Sequence, residues 1–332
     1  MTEKIDFIVT YLDGSDSKWL AEKRSYENEI SDISRNSDSR YRNGIDFKFW
    51  MRSVEKYASW VNKIHIVTQG HLPEWLDITH PKLNIVTHKD YISAQFLPTF
   101  NSNVIELNFD RIEELAEQFV IFNDDTPLNA VTSPSDFFVN GLPKMQAFLM
   151  PPQAATRFDT AKYNNMAALN SVDFPKKLIN RKLYSLRNGT LSVFANLYLT
   201  PLLRYVNRNI GFQADHLPMA VNKSTFHALS TLLEPVFRET STNRFRTRND
   251  INIWITQDYH RLLGKFIPRN SQKFGAYVYI DFNSKNAATL NSRAKVICIY
   301  ESELPYEEWK IAHKQLTDLF EAKFSQKSSF EK

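Results

Sequence analysis

The stretch Ile5-Asp-Phe-Ile-Val-Thr-Tyr-Leu-Asp-Gly-Ser-Asp16 joins an apolar run to an acidic turn. Ile5 to Thr10 have the length and the β-branched content of a buried strand. The Asp-Gly-Ser-Asp segment is typical of a tight turn, which places Asp13 and Asp16 at the carboxyl end of that strand. Open α/β sheets bind their ligands at this end. The stretch therefore predicts an α/β fold with a ligand site beside its first strand.

Further apolar runs have the composition of buried parallel strands. They are Ile64 to Thr68, Leu83 to Thr87, Phe119 to Phe122 and Val296 to Ile299. Helical periodicity occupies the segments Lys18 to Ser31, Phe47 to Tyr57, Ile105 to Gln118 and Tyr306 to Phe324. This alternation predicts an open, mostly parallel α/β sheet that is Rossmann-like or GT-A-like.

The middle of the chain differs from this pattern. From Pro151 to Gly211 it reads as helical or irregular, with basic residues scattered among aromatic ones. We predict an α/β part with the ligand and metal sites at 1–150, a helical insertion or cap at 151–211, and the rest of the catalytic domain at 212–324. The polar tail at 325–332 is expected to be frayed.

Composition excludes several classes of protein. The chain has 332 residues, 42% of them hydrophobic and 13% aromatic, so it is not intrinsically disordered. Its formal charge of +4 is small and dispersed, so a nucleic-acid partner is not expected. The single cysteine, Cys298, lies in an apolar run and reads as a buried structural thiol.

Localisation is inferred from what the sequence lacks. The chain begins without a basic-then-apolar leader, and no run approaches the ~18 apolar residues of a membrane span. We expect a cytoplasmic protein.

A second acidic motif follows the predicted strand in Phe119-Val-Ile-Phe-Asn-Asp-Asp-Thr-Pro127. Its oxygen ligands, above all Asp124 and Asp125, suit Mg²⁺ or Mn²⁺ bound together with substrate phosphates. A simple Asx turn before Pro127 explains the same residues. Likewise, Asp13 and Asp16 are explained by an ordinary turn or a helix N-cap.

In a third motif, Leu97-Pro-Thr-Phe-Asn-Ser-Asn-Val-Ile-Glu106, either Asn101 or Ser102 is expected to cap a helix. Glu106 then lies in the first turns of that helix, where a carboxylate is stabilised by the helix dipole. A capping or solvent-facing Glu is the alternative.

The fourth constellation joins Asp215-His-Leu-Pro218 to Thr242-Asn-Arg-Phe-Arg-Thr-Arg-Asn-Asp250. His216 is a candidate general base or phosphate donor, although a lone histidine is more often structural. The alternating Arg244, Arg246 and Arg248 would share one face of an extended segment and could grip a diphosphate. A solvated basic strand is the alternative.

Taken together these segments resemble the Stealth family of bacterial capsular polysaccharide phosphotransferases, over nearly the whole chain. The likeness runs through the Ile5 to Asp16 stretch, Arg52 to Trp60, Lys63 to Thr68, Leu97 to Asp125, His216 to Pro218 with Thr240 to Asp250, and Lys295 to Ile299. The resemblance implies catalytic roles for Glu106, Asp125, His216 and Arg246. It also suggests substrate-binding roles for Asp13, Gly14, Asp16, Arg52, Asn101, Arg244, Arg248 and Asp250.

The activity that the resemblance implies is transfer of sugar-1-phosphate from a nucleotide diphosphate sugar to a sugar hydroxyl, with release of nucleoside monophosphate. The donor is expected to be a UDP-hexose or UDP-N-acetylhexosamine, and the acceptor an oligosaccharide or a lipid-linked glycan. A divalent metal, Mg²⁺ or Mn²⁺, is expected on Asp125, with Asp124 or Glu106 as further ligand. His216 and Glu106 are rival bases.

Two other functions fit the same residues. A metal-dependent glycosyltransferase would share the sheet and the acidic strand end but would release nucleoside diphosphate. A non-catalytic glycan-binding protein would need neither donor nor metal.

A last expectation concerns the segment from Thr190 to Phe212, which mixes apolar residues with Arg204 and Arg208. It predicts peripheral association with the inner face of the cell membrane or with a lipid-linked acceptor. Helix packing in the core explains the same pattern.

Overall fold

A computed structural model describes residues 4–30, 44–152, 159–302 and 304–332. Within these ranges the strands are β1 (Ile5–Thr10), β2 (Ile64–Thr68), β3 (Leu83–Thr87), β4 (Gln118–Phe122), β5 (Phe138–Val139), β6 (Leu142–Met145), β7 (Met219–Asn222), β8 (Ile267–Pro268), β9 (Gly275–Ile280) and β10 (Val296–Glu301). The longer helices are α1 (Ser17–Ser25), α2 (Phe47–Tyr57), α4 (Ser102–Leu107), α6 (Asp159–Ser171), α7 (Thr190–Val206), α8 (Lys223–Leu232), α9 (Glu234–Ser241), α10 (Trp254–Leu263), α12 (Asn286–Leu290) and α13 (Tyr306–Lys323). Single-turn helices are α3 (His88–Tyr91), α5 (Pro134–Phe137) and α11 (Ser271–Phe274).

The central sheet has the strand order β3-β2-β1-β4-β7. Its first four strands are parallel, and β7 pairs antiparallel to β4 at the edge. Val9 of β1 lies opposite both Ile66 of β2 and Phe122 of β4, so these strands end at the same edge. This architecture confirms the predicted α/β class with an open, mostly parallel sheet.

The predicted strand near the C-terminus forms as β10, but it does not join the central sheet. It pairs in parallel with β9 in a separate two-stranded sheet, because β7 already occupies the edge beside β4. Two backbone bonds link it to the loop after β4: Ile297 N donates to the Pro127 carbonyl at 3.1 Å, and Ile299 N to the Asp125 carbonyl at 2.9 Å. The second sheet is thereby fixed against the end of β4.

Side chains of the central strands alternate between two buried cores. Phe7 and Val9 pack on one face with Trp50 of α2, while Ile8 packs on the other. Leu203 of the predicted insertion belongs to the same core as Ile8. The insertion therefore shares its hydrophobic core with the central sheet.

Helix boundaries match the sequence expectations in part. The predicted helix at Phe47 to Tyr57 has those bounds, and α13 ends at Lys323, one residue before the predicted end. The helix expected from Ile105 to Gln118 is instead the short α4, which ends at Leu107. The Asn108 side chain donates to the Val104 carbonyl at 2.8 Å and competes with its continuation.

The first predicted helix is also shorter. It forms as α1, which begins at Ser17 and ends at Ser25. The end predicted at Ser31 lies outside the described residues.

The C-terminal tail is ordered, and the prediction of a frayed 325–332 segment is corrected. Phe330 is buried in the core with Trp50, and its carbonyl accepts from Asp77 N at 2.8 Å. Glu331 forms a bidentate ion pair with Arg52: Oε1 lies 2.8 Å from Arg52 Nε, and Oε2 lies 2.7 Å from Arg52 Nη2. The polar composition predicts a frayed tail, but the buried Phe330 ring and the ion pair between Glu331 and Arg52 hold the tail in place.

Among the described residues, no helix is long and apolar enough to cross a bilayer.

Candidate active site

The carboxyl edge of the central sheet brings the two acidic motifs together around Tyr11. Burial, followed by the charges of Asp13, Asp46 and Asp124, raises the pKa of Tyr11 to about 12. Asp13 follows β1 and Asp124 follows β4, and these strands are parallel neighbours. The edge therefore concentrates negative charge, as oxygen ligands for a cation would.

The first motif forms an Asx turn and a helix cap. The Asp13 carboxylate accepts from Ser15 N at 2.9 Å and from Ser15 Oγ at 2.6 Å, and its own N–H donates to His71 Nε2 at 2.8 Å. Gly14 lies within this turn. Asp16 accepts from Trp19 N at 2.7 Å and caps α1, which is the N-cap alternative weighed for this residue.

His216 lies against the loop that follows β4, although 91 positions separate it from Asp125 in sequence. Its Nε2 is 3.1 Å from Asp125 Oδ2 and 3.2 Å from Asn123 Nδ2. Burial opposes the charged imidazolium, but the charge and the hydrogen bond of Asp125 outweigh it and raise the pKa of His216. The antiparallel edge strand β7 begins at Met219 and anchors this histidine.

Asp124 reaches solvent beside this pair. Partial loss of hydration and the like charge of Asp125 raise the pKa of Asp124. Two adjacent carboxylates of this kind disfavour being ionised together unless a cation neutralises them.

Glu106 and Arg246 complete the cluster. Burial raises the pKa of Glu106 to about 7, against the opposing effects of the positive charges of Arg246 and His216. Arg246 Nη2 donates to Ser102 Oγ, in the same helix α4, at 2.6 Å. The structure thus brings Glu106, Arg246, His216 and Asp125 into one site from segments that are far apart in sequence.

A buried carboxylate, Asp250, holds two of these segments together. It is 1% exposed and accepts from Asn101 Nδ2 at 2.9 Å, Asn103 Nδ2 at 3.2 Å and Asn243 Nδ2 at 2.8 Å. Thr247 donates to it from its backbone N at 3.0 Å and from Oγ1 at 2.7 Å. Asp250 therefore fixes the arginine loop against the start of α4.

Asn101 supports the same junction. Its side chain accepts from Asn103 N at 3.1 Å, which caps α4, and donates to the carbonyls of Asn243 and Phe245 at 3.1 and 3.3 Å. Asn101 and Asp250 are both buried and hydrogen-bonded to each other, so their predicted contact with substrate stays a prediction.

Three arginines that were predicted to bind substrate remain to be placed. Arg244 donates to Glu29 at 3.0 Å and to the Pro98 carbonyl, and stacks 4.2 Å from the Tyr26 ring. Arg52 is held by the tail through Glu331. These two arginines are engaged in structural contacts. Arg248 lies on the surface.

The residues at the end of β4 fit a divalent cation. Asp125 Oδ1 is buried without a hydrogen-bond partner among the described residues, and the second carboxylate, Asp124, lies next to it. Donor atoms of Asp125, His216 and Cys298 lie within 4.8 Å of one another. Burial and the charge of Asp125 raise the pKa of the Cys298 thiol, so it stays protonated and is a poor ligand. The carboxylates fit Mg²⁺ or Mn²⁺ better than this thiol fits a soft metal.

Several residues at the site were not singled out from the sequence. From the sequence, Ser102 is expected only to cap a helix, but its hydroxyl contacts Arg246. The ring centroid of Tyr300 lies 6.0 Å from that of His216. His71 touches the first acidic turn. These residues are recognised only from contacts between distant segments of the chain, because a single His or Tyr does not form a sequence motif.

Comparison with known proteins places the chain in a family. Residues 40–145 match the family model of Stealth protein CR2, conserved region 2, and residues 215–260 match that of Stealth protein CR3, conserved region 3. These two ranges hold Glu106, Asp125, His216 and Arg246.

Relatives that match nearly the whole chain are named as polysaccharide phosphotransferases. The chain is 39% identical to the capsular polysaccharide phosphotransferase WcwK of Streptococcus pneumoniae, over 99% of this chain and 98% of the relative. It is 37% identical to the exopolysaccharide phosphotransferase cps2G of Lactiplantibacillus plantarum (99% and 96%) and 34% identical to the receptor polysaccharide phosphotransferase WefC of Streptococcus gordonii (100% and 100%). A solved structure of the galactosyltransferase LgtC superposes with a TM-score of 0.41 and 9% identity, over 96% of this chain and 95% of that chain.

The chain belongs to the Stealth family of polysaccharide phosphotransferases. This confirms the resemblance drawn from the motifs and makes the protein an enzyme of the phosphotransferase class.

The raised pKa of Glu106 leads to a prediction about stability. A Glu with an ordinary pKa of 4.5 that is raised to about 7 on folding keeps its proton in the folded state between these pH values. Stability is therefore lost as the pH rises through this window. Glu106→Gln does not titrate, so its melting temperature relative to the wild type should be higher at pH 8 than at pH 5, by at least about 2 °C.

Differential scanning fluorimetry in chelator, at both pH values, measures this difference. Glu113→Gln, which changes an exposed carboxylate, is the matched control. An equal offset at pH 5 and pH 8 for Glu106→Gln would show that its carboxyl group titrates normally.

Proposed function

We propose that this enzyme transfers sugar-1-phosphate from a nucleotide diphosphate sugar to a hydroxyl of a cell-surface polysaccharide. The observation that carries the proposal is the contact of His216 with Asp125, beside Arg246 and Glu106. A proton acceptor, a phosphate-binding guanidinium and a carboxylate pair at a strand end are the groups that phosphoryl-type transfer needs.

In the proposed reaction, the acceptor hydroxyl oxygen attacks the β-phosphorus of the donor. A new oxygen–phosphorus bond forms, and the bond from this phosphorus to the bridging oxygen breaks, so nucleoside monophosphate leaves. The bond between sugar C1 and its oxygen stays intact, and the anomeric configuration of the transferred sugar is retained.

His216 is the proposed base. Its Nε2 lies 3.1 Å from Asp125, and an N–H at this position donates to that carboxylate and orients the ring. Nδ1 then carries the lone pair that takes the proton of the acceptor hydroxyl. Glu106 remains the rival for this role, since its pKa of about 7 also suits a base.

Arg246 is proposed to bind the donor diphosphate. Its hydrogen bond to Ser102 holds the guanidinium beside Glu106, and further N–H groups of the planar fork can contact phosphate oxygens. Arg248, Asp13 and Gly14 line the remaining part of the proposed donor site, on the arginine loop and the first acidic turn.

Asp125, through Oδ1, and Asp124 are the residues that would hold Mg²⁺ or Mn²⁺. When bound, such an ion neutralises charge on the phosphate oxygens and the leaving group.

The observed site disfavours one of the two alternatives, a protein that only binds glycans. A protein that only binds glycans has no use for a half-buried Glu–Arg–His cluster beside two carboxylates. A glycosyltransferase that breaks the bond at sugar C1 remains the second candidate, because it would share the acidic strand end. The nucleotide that is released separates it from the proposed reaction.

Incubation of the purified enzyme with UDP- and GDP-sugars, an oligosaccharide acceptor and Mg²⁺ or Mn²⁺ should release nucleoside monophosphate. A phosphodiester signal should appear by ³¹P NMR in equal amount. UDP-hexose or UDP-N-acetylhexosamine is the expected donor. Asp125→Asn is the control and should lower turnover at least ~100-fold, because an amide is a poor ligand for a hard cation. Release of nucleoside diphosphate would assign the enzyme to the glycosyltransferases.

The expected membrane association is supported by the surface of α7. Phe194 is 70% exposed, Tyr198 84% and Tyr205 89%, and Leu191 shares the same stripe at helical spacing. The buried side of this helix carries polar groups: Asn196, which is fully buried, accepts from Leu149 N at 2.7 Å. An ordinary surface helix buries its apolar face, whereas α7 leaves an apolar stripe exposed although Leu203 is buried in the core.

The positive charge of the segment that contains α7 is complementary to an anionic membrane surface. Residues 174–214 contain seven Lys and Arg and no Asp or Glu. Arg187, Arg204 and Arg208 are exposed, and in the described part of the chain no carboxylate pairs with them. An apolar stripe flanked by arginines is the pattern of a helix that lies in an anionic membrane interface. We propose that α7 docks the enzyme at the inner face of the cell membrane, where a lipid-linked glycan acceptor would be presented.

Sedimentation with phosphatidylglycerol vesicles should carry the wild-type enzyme down, and 0.5 M salt should weaken the binding. Phe194→Ser with Tyr198→Ser should weaken it at least ~10-fold, because a buried aromatic side chain contributes ~1.5–3 kcal/mol. The control is Phe282→Ser, which removes a 52% exposed aromatic residue outside α7. No sedimentation of the wild type, or an equal loss in the control, would favour a purely structural helix.

A further inference from the structure

Three tyrosines form an exposed aromatic surface on the small sheet of β9 and β10. In the parallel register Tyr277 lies opposite Cys298, and Tyr279 lies opposite Tyr300. The intervening Val278 and its neighbours on β10 are buried against α13, so the tyrosines occupy the opposite face. Tyr277, Tyr279 and Tyr300 are 37%, 39% and 40% exposed.

Their rings form one continuous cluster. The ring centroid of Tyr300 is 5.5 Å from that of Tyr277 and 5.8 Å from that of Tyr279, and the Tyr279 and Tyr300 planes differ by 22°. Aromatic side chains that stay exposed in a group mark surfaces that bind a partner or a ligand.

This cluster adjoins the proposed reaction centre. The Tyr300 and His216 ring centroids are 6.0 Å apart. Cys298, on the same sheet face, has its sulfur within 4.8 Å of donor atoms of Asp125 and His216. The bond from Ile299 N to the Asp125 carbonyl fixes the sheet in this position. A molecule that lies on the tyrosines therefore reaches the proposed base.

The chemistry of this surface suits a neutral, hydroxyl-rich ligand. Negative charges lie near it: partial burial, with Asp125 and Asp215 among the neighbouring groups, raises the pKa of Tyr300 to about 12. The phenol hydroxyls and the nearby Asp215 carboxylate can bond to the hydroxyl groups of a sugar. Arg246, the proposed phosphate ligand, bonds instead to Ser102 in α4.

We infer that Tyr277, Tyr279 and Tyr300 form the acceptor subsite, on which uncharged pyranose residues of the acceptor glycan stack with their apolar faces. This assignment rests on the proposed function, because it places the attacking hydroxyl beside His216. Tyr300 contacts the acceptor sugar whose hydroxyl receives the sugar-1-phosphate. The other two rings hold the sugar units that precede it in the glycan.

The test uses two readouts on the full chain. Binding of uncharged di- and tetrasaccharides of glucose, galactose and N-acetylglucosamine is measured by saturation-transfer NMR without donor. The Michaelis constants for acceptor and donor are then measured with the saccharide that the wild type uses. Tyr300→Ala should weaken saccharide binding and raise the acceptor KM about 3- to 10-fold, the range expected for one aromatic contact. Tyr300→Phe should stay within about 2-fold.

Tyr163→Ala, which removes an exposed tyrosine on α6, is the matched control and should change neither constant. The assignment is overturned if no saccharide binds the wild type, if Tyr300→Ala binds as well as the wild type, or if only its donor KM rises, which would place the nucleobase on the rings. Absence of phosphodiester product while saccharide binding still depends on Tyr300 would instead refute the proposed function alone.

Discussion

The site depends on one buried carboxylate. Asp250 accepts five hydrogen bonds, which come from the segment that starts α4 and from its own arginine loop. A buried carboxylate without such donors would be costly, so the two segments can leave each other only by exposing it. Glu106 and Arg246, which lie on opposite sides of this junction, are thereby kept together.

The sheet supplies the other half of the site. Parallel pairing of β1 with β4 carries Asp13 and Asp124 to one edge, and the antiparallel edge strand β7 begins just after His216. The second sheet is fixed to the same loop through Asp125. The resulting site has two chemically different sides: a charged side with the carboxylates at the end of β4 and the arginine loop, and an aromatic side on β9 and β10.

The sequence was sufficient for the four parallel strands of the central sheet, because buried strands are short, apolar and β-branched and each ends in a polar turn, but it did not predict the edge strand β7. The family motifs also single out Glu106, Asp125, His216 and Arg246, and the structure brings these four residues together. The sequence could not separate residues that face a ligand from those that support them. Asn101 and Asp250 look like ligand-binding residues in sequence, yet they are buried and hydrogen-bonded to each other.

Other differences have the same origin. Nothing in the composition of the last eight residues shows that Phe330 enters the core, and nothing in the strand pattern shows that β10 pairs with β9. The tyrosine surface is not predictable from the sequence for a similar reason, because Tyr277 and Tyr300 are brought together only by the pairing of β9 with β10. Pairing between distant segments is a property of the fold, and a local pattern does not contain it.

The central claim is that His216 and Arg246, 30 positions apart in sequence, act in one catalytic site. The most direct measurement is the turnover of His216→Ala, Arg246→Ala and the double variant, with one donor and one acceptor. Each single change should lower turnover ~10²–10⁴-fold, and the double variant should lose far less than the product of the two. Losses that multiply fully would show that the two residues act independently and would contradict the account.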